Sequence, residues 1–303
     1  MSRVRRAALL CLLGLALVAA LCSMASAETW PSMANYSISL SSAPEAHVQI
    51  NGGLWGPIGG NFGAKISAWW VTGGTDHRLF LADTYVDYTR KPLYVAVGRK
   101  YVPFGPAGLL VSPGIGGAEA KYQANRVSLQ AIAGTLQFTP VVGTDRLTYA
   151  GTKIPSDESI AAARVAVDVV PATNPHPTTL GLNLLKLDGD SGDSLDLSLQ
   201  TMDWMTLFGE VADFDGVHAH AYGVRLSNQK HVKNPSRHSL LTIYNRRVPV
   251  GFRPADLGAT GYFQGMDGWA MGYSQQLDDF HGVGVFADRH DAIFTYFQTI
   301  PLH

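Results

Sequence analysis

The sequence predicts an all-β fold, a transmembrane antiparallel β-barrel of about 12–16 strands. Three observations lead there. Period-two alternation recurs in about sixteen short runs separated by turn residues. Beyond the N-terminal thirty residues, no apolar stretch approaches the roughly 20 residues of a membrane helix; the nearest, Ile160 to Val170, is broken by Arg164 and Asp168. Charge is sparse as well. Asp, Glu, Lys and Arg make up 16% of the 303 residues against 46% hydrophobic, where about 25% charged is usual for a soluble domain.

The N-terminus is read as an export signal, residues 1–27. Arg3, Arg5 and Arg6 form a basic start, Ala7 to Leu21 is nearly all apolar, and Ala25-Ser26-Ala27 supplies the small-x-small cleavage pattern. Removing 27 residues from 303 leaves a single domain, 28–303, that begins at Glu28. Both cysteines, Cys11 and Cys22, leave with the signal, and 20 basic against 24 acidic residues give a net charge of −4. An exported chain without disulfides is held by its core and backbone pairing alone. Near-neutral charge argues against nucleic-acid binding, and the apolar content against disorder.

The strands are expected in the following order. Tyr36 to Leu40, Ala46 to Asn51 and Ala64 to Val71 come first. Next, Phe80, Ala82, Thr84, Val86 and Tyr88 share one face, with Asp83, Tyr85 and Asp87 on the other. Leu93, Val95 and Val97 oppose Tyr94, Ala96 and Gly98; Ala118 to Ala124 and Val127 to Ala133 follow. Ala161, Ala163, Val165, Val167 and Val169 oppose Arg164 and Asp168. After Thr179 to Leu187, Leu195, Leu197 and Leu199 alternate with Asp196, Ser198 and Gln200. Met205 to Asp213, His218 to Leu226, Ser239 to Arg246, Trp269 to Gln276, Val283 to Asp288 and Ala292 to Thr299 complete the series.

Turns are expected at Asn51-Gly52-Gly53, Gly73-Gly74, Asp188 to Gly192 and Asp267-Gly268. Longer irregular segments are Val102 to Gly117, Pro140 to Ser156, Pro171 to Pro177 and Arg247 to Gly265, one of which could enter and narrow a channel. Trp69, Trp70, Tyr88, Tyr101, Trp204, Trp269 and Tyr296 are candidates for interfacial girdles. A soluble sandwich alternates in the same way. Only a closed barrel, however, can span a membrane with every strand paired.

The stretch Asp83-Thr84-Tyr85-Val86-Asp87-Tyr88, Pro92 to Val97, then Gly98-Arg99-Lys100-Tyr101-Val102-Pro103-Phe104-Gly105 resembles outer-membrane porins. It is most similar to the LbtU-type siderophore porin family, over roughly Leu81 to Gly105. The Gly-rich Pro106 to Gly117 departs from that family's loop, and the ending Ile300-Pro301-Leu302-His303 departs from its usual terminal aromatic residue. The resemblance implies a bacterial outer-membrane channel for small hydrophilic solutes, with iron-siderophore uptake as a candidate cargo. It further implies outer-membrane lipid and the barrel-assembly machinery as partners, with a homotrimer as candidate assembly.

Physics reads the same motif independently. If Leu93, Val95 and Val97 face lipid, Lys100 points inward and Arg99 lies at or beyond the rim. Pro103 ends the ladder and Gly105 frees the backbone, so the chain can leave the wall there. Inward cations favour anions in a pore. The alternative is that both cations pair with Asp83 and Asp87 on the preceding strand. Candidate lumen residues are therefore Asp83, Asp87, Arg99, Lys100, Arg164 and Asp168, with Gly98, Tyr101, Pro103, Phe104 and Gly105 as the motif.

Other groupings carry less. His218 and His220 share a strand face but have no third metal ligand near them. The acidic turn at Asp188 to Asp193 has Leu199 where a calcium loop needs Glu. Asp278, Asp279, His281, His290 and Asp291 read as rim charge. With no Gly-x-Ser-x-Gly elbow, phosphate loop or dinucleotide fingerprint, neither catalytic residue nor cofactor is expected. The rival readings are a soluble exported β-sandwich that binds a polymer or partner, and a barrel-embedded enzyme.

Overall fold

The computed structural model describes residues 30–41, 47–73, 76–136, 158–170, 176–228, 238–254, 266–288 and 292–301. Sixteen strands follow one another. They are β1 (Met33–Ser41), β2 (His47–Gly59), β3 (Phe62–Gly73), β4 (Asp76–Arg90), β5 (Leu93–Tyr101), β6 (Gly114–Ala124), β7 (Val127–Leu136) and β8 (Ser159–Asp168), then β9 (Thr178–Leu187), β10 (Asp190–Met202), β11 (Met205–Phe214), β12 (Val217–Ser227), β13 (Ser239–Val248), β14 (Met266–Gln276), β15 (His281–Asp288) and β16 (Ala292–Pro301). Each pairs antiparallel with its sequence neighbours, and β16 joins β1 from Met33↔Pro301 to Ser41↔Ile293. The sheet thus closes and leaves no unpaired edge. Each expected run corresponds to one strand, at the upper end of the expected count.

The exposure pattern inverts that of a soluble protein. On β9 and β10, Leu182 and Leu195 expose 43% and 51% of their surface, whereas the inward Asn183 and Asp196 expose 0% and 1%. Leu180 and Leu184, Val165 and Val167, and Leu197 continue the apolar outer surface. A ten-residue strand such as β8 is about 33 Å long at about 3.3 Å per residue. Tilted by roughly 35–45°, it spans about 25 Å, the height of the apolar band on a membrane barrel. Among the described residues, no helix is long and apolar enough to cross a membrane.

Aromatics mark one rim. Phe62 and Tyr88 pack at 5.1 Å between centroids beside the 60–61 and 91–92 turns. Trp204 and Phe280 lie exposed on turns at the same end. Tyr101 is not part of this girdle: its hydroxyl bonds Ser112 Oγ at 2.5 Å. The side chains of Trp69 and Trp70 lie outside the described residues.

Several expected turns are corrected. Asn51-Gly52-Gly53 runs through the middle of β2, because Gly53 supplies space rather than a bend. A Cβ there would stand 2.8 Å from both Asn35 Oδ1 and Ser67 Cβ on the flanking strands. Asp267-Gly268 belongs to β14, paired with Arg247 and Arg246. The acidic turn is confined to Asp188-Gly189, both with positive φ, and Asp190 already starts β10. The irregular segment after β5 ends at Pro113, since Gly114 to Gly117 pair with β5. The export signal and the Pro140 to Ser156 segment lie outside the described residues, as do Gly74 and most of Pro171 to Pro177 and of Arg247 to Gly265.

Candidate functional site in the lumen

The segment 102–113 between β5 and β6 folds into the barrel. Upstream of it, Gly98 is required by close strand pairing: at φ +136°, a Cβ there would meet the Thr84 carbonyl and lie 2.7 Å from Tyr85 Cα on β4. The segment closes on itself through Val102 N–H to Pro113 O at 3.0 Å and Phe104 N–H to Val111 O at 2.8 Å. Phe104, Leu109, Leu110 and Val111 are fully buried, packed on wall residues such as Ile160, Leu187 and Phe214. The expected inward loop is therefore present. Gly105, at φ +69°, seats the backbone against Asp196, whose Oδ2 would lie 2.9 Å from an added Cβ.

This loop divides the interior. It covers the inner face of β6–β13, where Asn183, Ser194, Asp196 and Glu210 are buried beneath it or beside it. The remaining strands, β14–β16 and β1–β5, line the other half. Their register places Asn35, Ser37 and Ser39 inward opposite Thr299, Phe297 and Thr295, and all three stay partly exposed. A cavity of about 510 Å³ on this side is lined by Ser32, Asn35, Trp55, Lys65, Tyr85 and Asp87 among others.

The inward charges are largely paired. Lys65 Nζ donates to Asp83 Oδ2 at 2.8 Å. Lys100 Nζ donates to Glu119 Oε2 and to Tyr94 Oη, both at 2.5 Å, and lies 4.9 Å from the Tyr85 ring centre. Lys121 Nζ approaches Glu119 Oε1 at 3.0 Å. Lys100 therefore does point inward, but its partner is Glu119 on β6 rather than Asp83 or Asp87 on β4. Asp83 instead accepts from Lys65 and from the Tyr101 amide. Arg99 lies within β5, two residues before its end at Tyr101, opposite Thr84 and Gly116 and within the field of Asp83.

The other candidates are scattered. Asp87 accepts from Thr89 Oγ1 and lines the cavity. Arg164 donates to Asp196 Oδ1 at 2.7 Å and is 14% exposed in its side chain, so it is wall structure rather than an open lumen cation. Asp168 caps the strand end by accepting from the Thr178 amide. Pro103 is exposed, and Phe104 is wholly buried in the loop's core. His218 pairs with Asp213 at 2.8 Å, with 83% of its side chain exposed, and His220 stacks on Tyr222. Among the described residues, no group of three metal-ligating side chains forms.

The sequence reading missed Glu119, Glu210 and Lys65. The available signal was a lone acid at an inward parity between small apolar residues, as in Ala118-Glu119-Ala120 and Gly209-Glu210-Val211.

No family model matches the sequence, and no curated protein matches it. Solved structures do. Pseudomonas putida OprB at low pH superposes with TM-score 0.53 at 11% identity, over 88% of this chain and 91% of that one. A triple mutant of Rhodopseudomonas blastica porin gives TM-score 0.53 at 11% identity, over 89% and 99%. The fold is that of the bacterial porins. At this identity the likeness concerns the fold alone, and it covers the matched porin chain nearly end to end.

Proposed function

We propose that this porin-fold barrel is a passive channel of the bacterial outer membrane for small hydrophilic solutes. One observation carries the reading. The outer wall is apolar and exposed, while the loop at 102–113 covers the β6–β13 side of the lumen and leaves Asn35, Ser37 and Ser39 opposite it in contact with solvent. Solutes would diffuse through, sorted by bore and by wall charges such as Lys65, Asp87 and the Lys100–Glu119–Lys121 group. No step requires a catalytic residue or cofactor. The same reading includes removal of residues 1–27, insertion by the barrel-assembly machinery and a homotrimeric assembly in lipid. The resemblance at Leu81 to Gly105 adds iron-siderophore chelates as a cargo to assay.

Planar-bilayer recording tests the channel. Discrete conductance steps from the detergent-purified protein are expected, with a current blocked or slowed by ferric chelates if these are cargo. A sealed barrel ends the channel reading. A monomer recovered without detergent from the soluble periplasmic fraction ends the membrane reading.

A further inference from the structure

The 102–113 loop that narrows the lumen contains no Lys, Arg, Asp or Glu. Its apolar side chains give it adhesion to the wall, but apolar burial is non-directional and does not by itself choose one position. Directional contacts come from the wall. Glu210 of β11 accepts the Leu109 amide on Oε2 at 2.9 Å and the Leu110 amide on Oε1 at 3.1 Å. Arg225 of β12 donates to the Pro106 carbonyl at 3.4 Å.

Glu210 is in turn held from behind. Ser194 Oγ donates to Glu210 Oε1 at 2.8 Å, and Asn183 Nδ2 donates to Ser194 Oγ and to Asp196 Oδ2, both at 2.9 Å. Arg164 completes the row on Asp196 at 2.7 Å. The row thus crosses β8 to β11 beneath the loop. A carboxylate with 2% exposure is costly to desolvate, and an apolar side chain would suit this wall better unless the charge has directed partners. Its partners are two loop amides lying about a hundred residues away in sequence.

We infer that Glu210 is the bore-setting residue of the channel, its carboxylate latching the charge-free loop to the β8–β12 side so that the hydroxyl- and amide-lined half stays open. The inference rests on the channel reading above. Without the latch, the loop keeps its apolar adhesion but loses its fixed position, and its excursions enter the passage.

Single-channel recording of the full-length protein and of Glu210→Ala, Glu210→Gln and Ser194→Ala tests this. Wild type is expected to show steady openings. Glu210→Ala is expected to spend roughly tenfold more time in reduced-conductance states, the change that about 1.4 kcal/mol brings. Glu210→Gln, which keeps one acceptor oxygen, and Ser194→Ala, which loosens the carboxylate from behind, fall between. The heat-shifted gel band of a folded barrel is read for each. If Glu210→Ala yields no folded band, the near-isosteric Glu210→Gln decides. Folded variants whose conductance and current noise match wild type overturn the latch, even if their thermal transition falls, since that marks a merely structural carboxylate. An insulating wild type instead overturns the channel reading itself.

Discussion

Glu119→Gln probes how the lumen handles charge. Glu119 is the carboxylate between Lys100 at 2.5 Å and Lys121 at 3.0 Å, and it also accepts from Gln130 Nε2 at 2.7 Å. Glutamine fills the same space but adds one unit of positive charge to the group. For an ion passing about 8 Å away in water, that unit is worth about 0.5 kcal/mol. Screening at 0.1 M salt, with a Debye length of about 10 Å, reduces it to about 0.2 kcal/mol. The effect has opposite sign for anions and cations, so the anion-to-cation permeability ratio should rise about twofold. The assay is the reversal potential across a bilayer under a potassium chloride gradient. At 1 M salt, where the Debye length is about 3 Å, the shift should nearly vanish. An unchanged reversal potential near 0.1 M, or an equal shift at 1 M, would refute the placement of this group beside the ion path. Arg99→Glu with Lys100→Glu should move the ratio toward cations in the same experiment.

Leu182→Arg puts a cation on the outer face of β9 and should destabilise the folded barrel by about 2–4 kcal/mol if that face meets lipid near the bilayer midplane; urea unfolding in vesicles measures this, and a loss below about 0.5 kcal/mol argues against lipid contact there. On the 277–280 turn, the Phe280 amide, joined by His281, holds the Asp278 carboxyl below its ordinary value. A depressed carboxylate stabilises the fold above its unfolded pKa, and that contribution is lost as pH falls. Asp278→Asn should accordingly weaken the barrel at pH 7, with the gap to wild type closing as pH drops below about 3.8; a gap constant down to pH 2 contradicts the assignment. Mass spectrometry of the exported protein should find Glu28 at its N-terminus, and an intact Met1 would remove the export reading.

The barrel was legible because its cause is local. In β8 and β10 each second residue faces out of the barrel, so Val165 and Val167, or Leu195 and Leu197, announce the strand and its outer face without reference to any partner. Where the inner face is also apolar, the signal fails. In β9, Leu180, Leu182 and Leu184 face out while Leu185 and Leu187 face in, beneath the loop's apolar core. No period distinguishes these two sets. Glycine misleads for a related reason: Gly53 reads as a turn residue, yet it is required by Asn35 and Ser67, which only strand pairing brings beside it.

The sequence by itself determined the run of alternating strands, which face of each is apolar and the point near Pro103 where the chain leaves the wall. All three follow from residues within a few positions of one another. Which carboxylate meets which cation, and which side of the lumen the loop occupies, was decided only by tertiary structure. Lys100 finds Glu119 rather than Asp87 because β5 pairs with β6 as well as with β4, and Leu109 finds Glu210 because the closed barrel lets the β5–β6 loop cross the interior to β11. The physical reason is range. Alternation and backbone freedom act between near neighbours, whereas the first contact depends on the register of paired strands and the second on a curvature that exists only once all sixteen strands have paired.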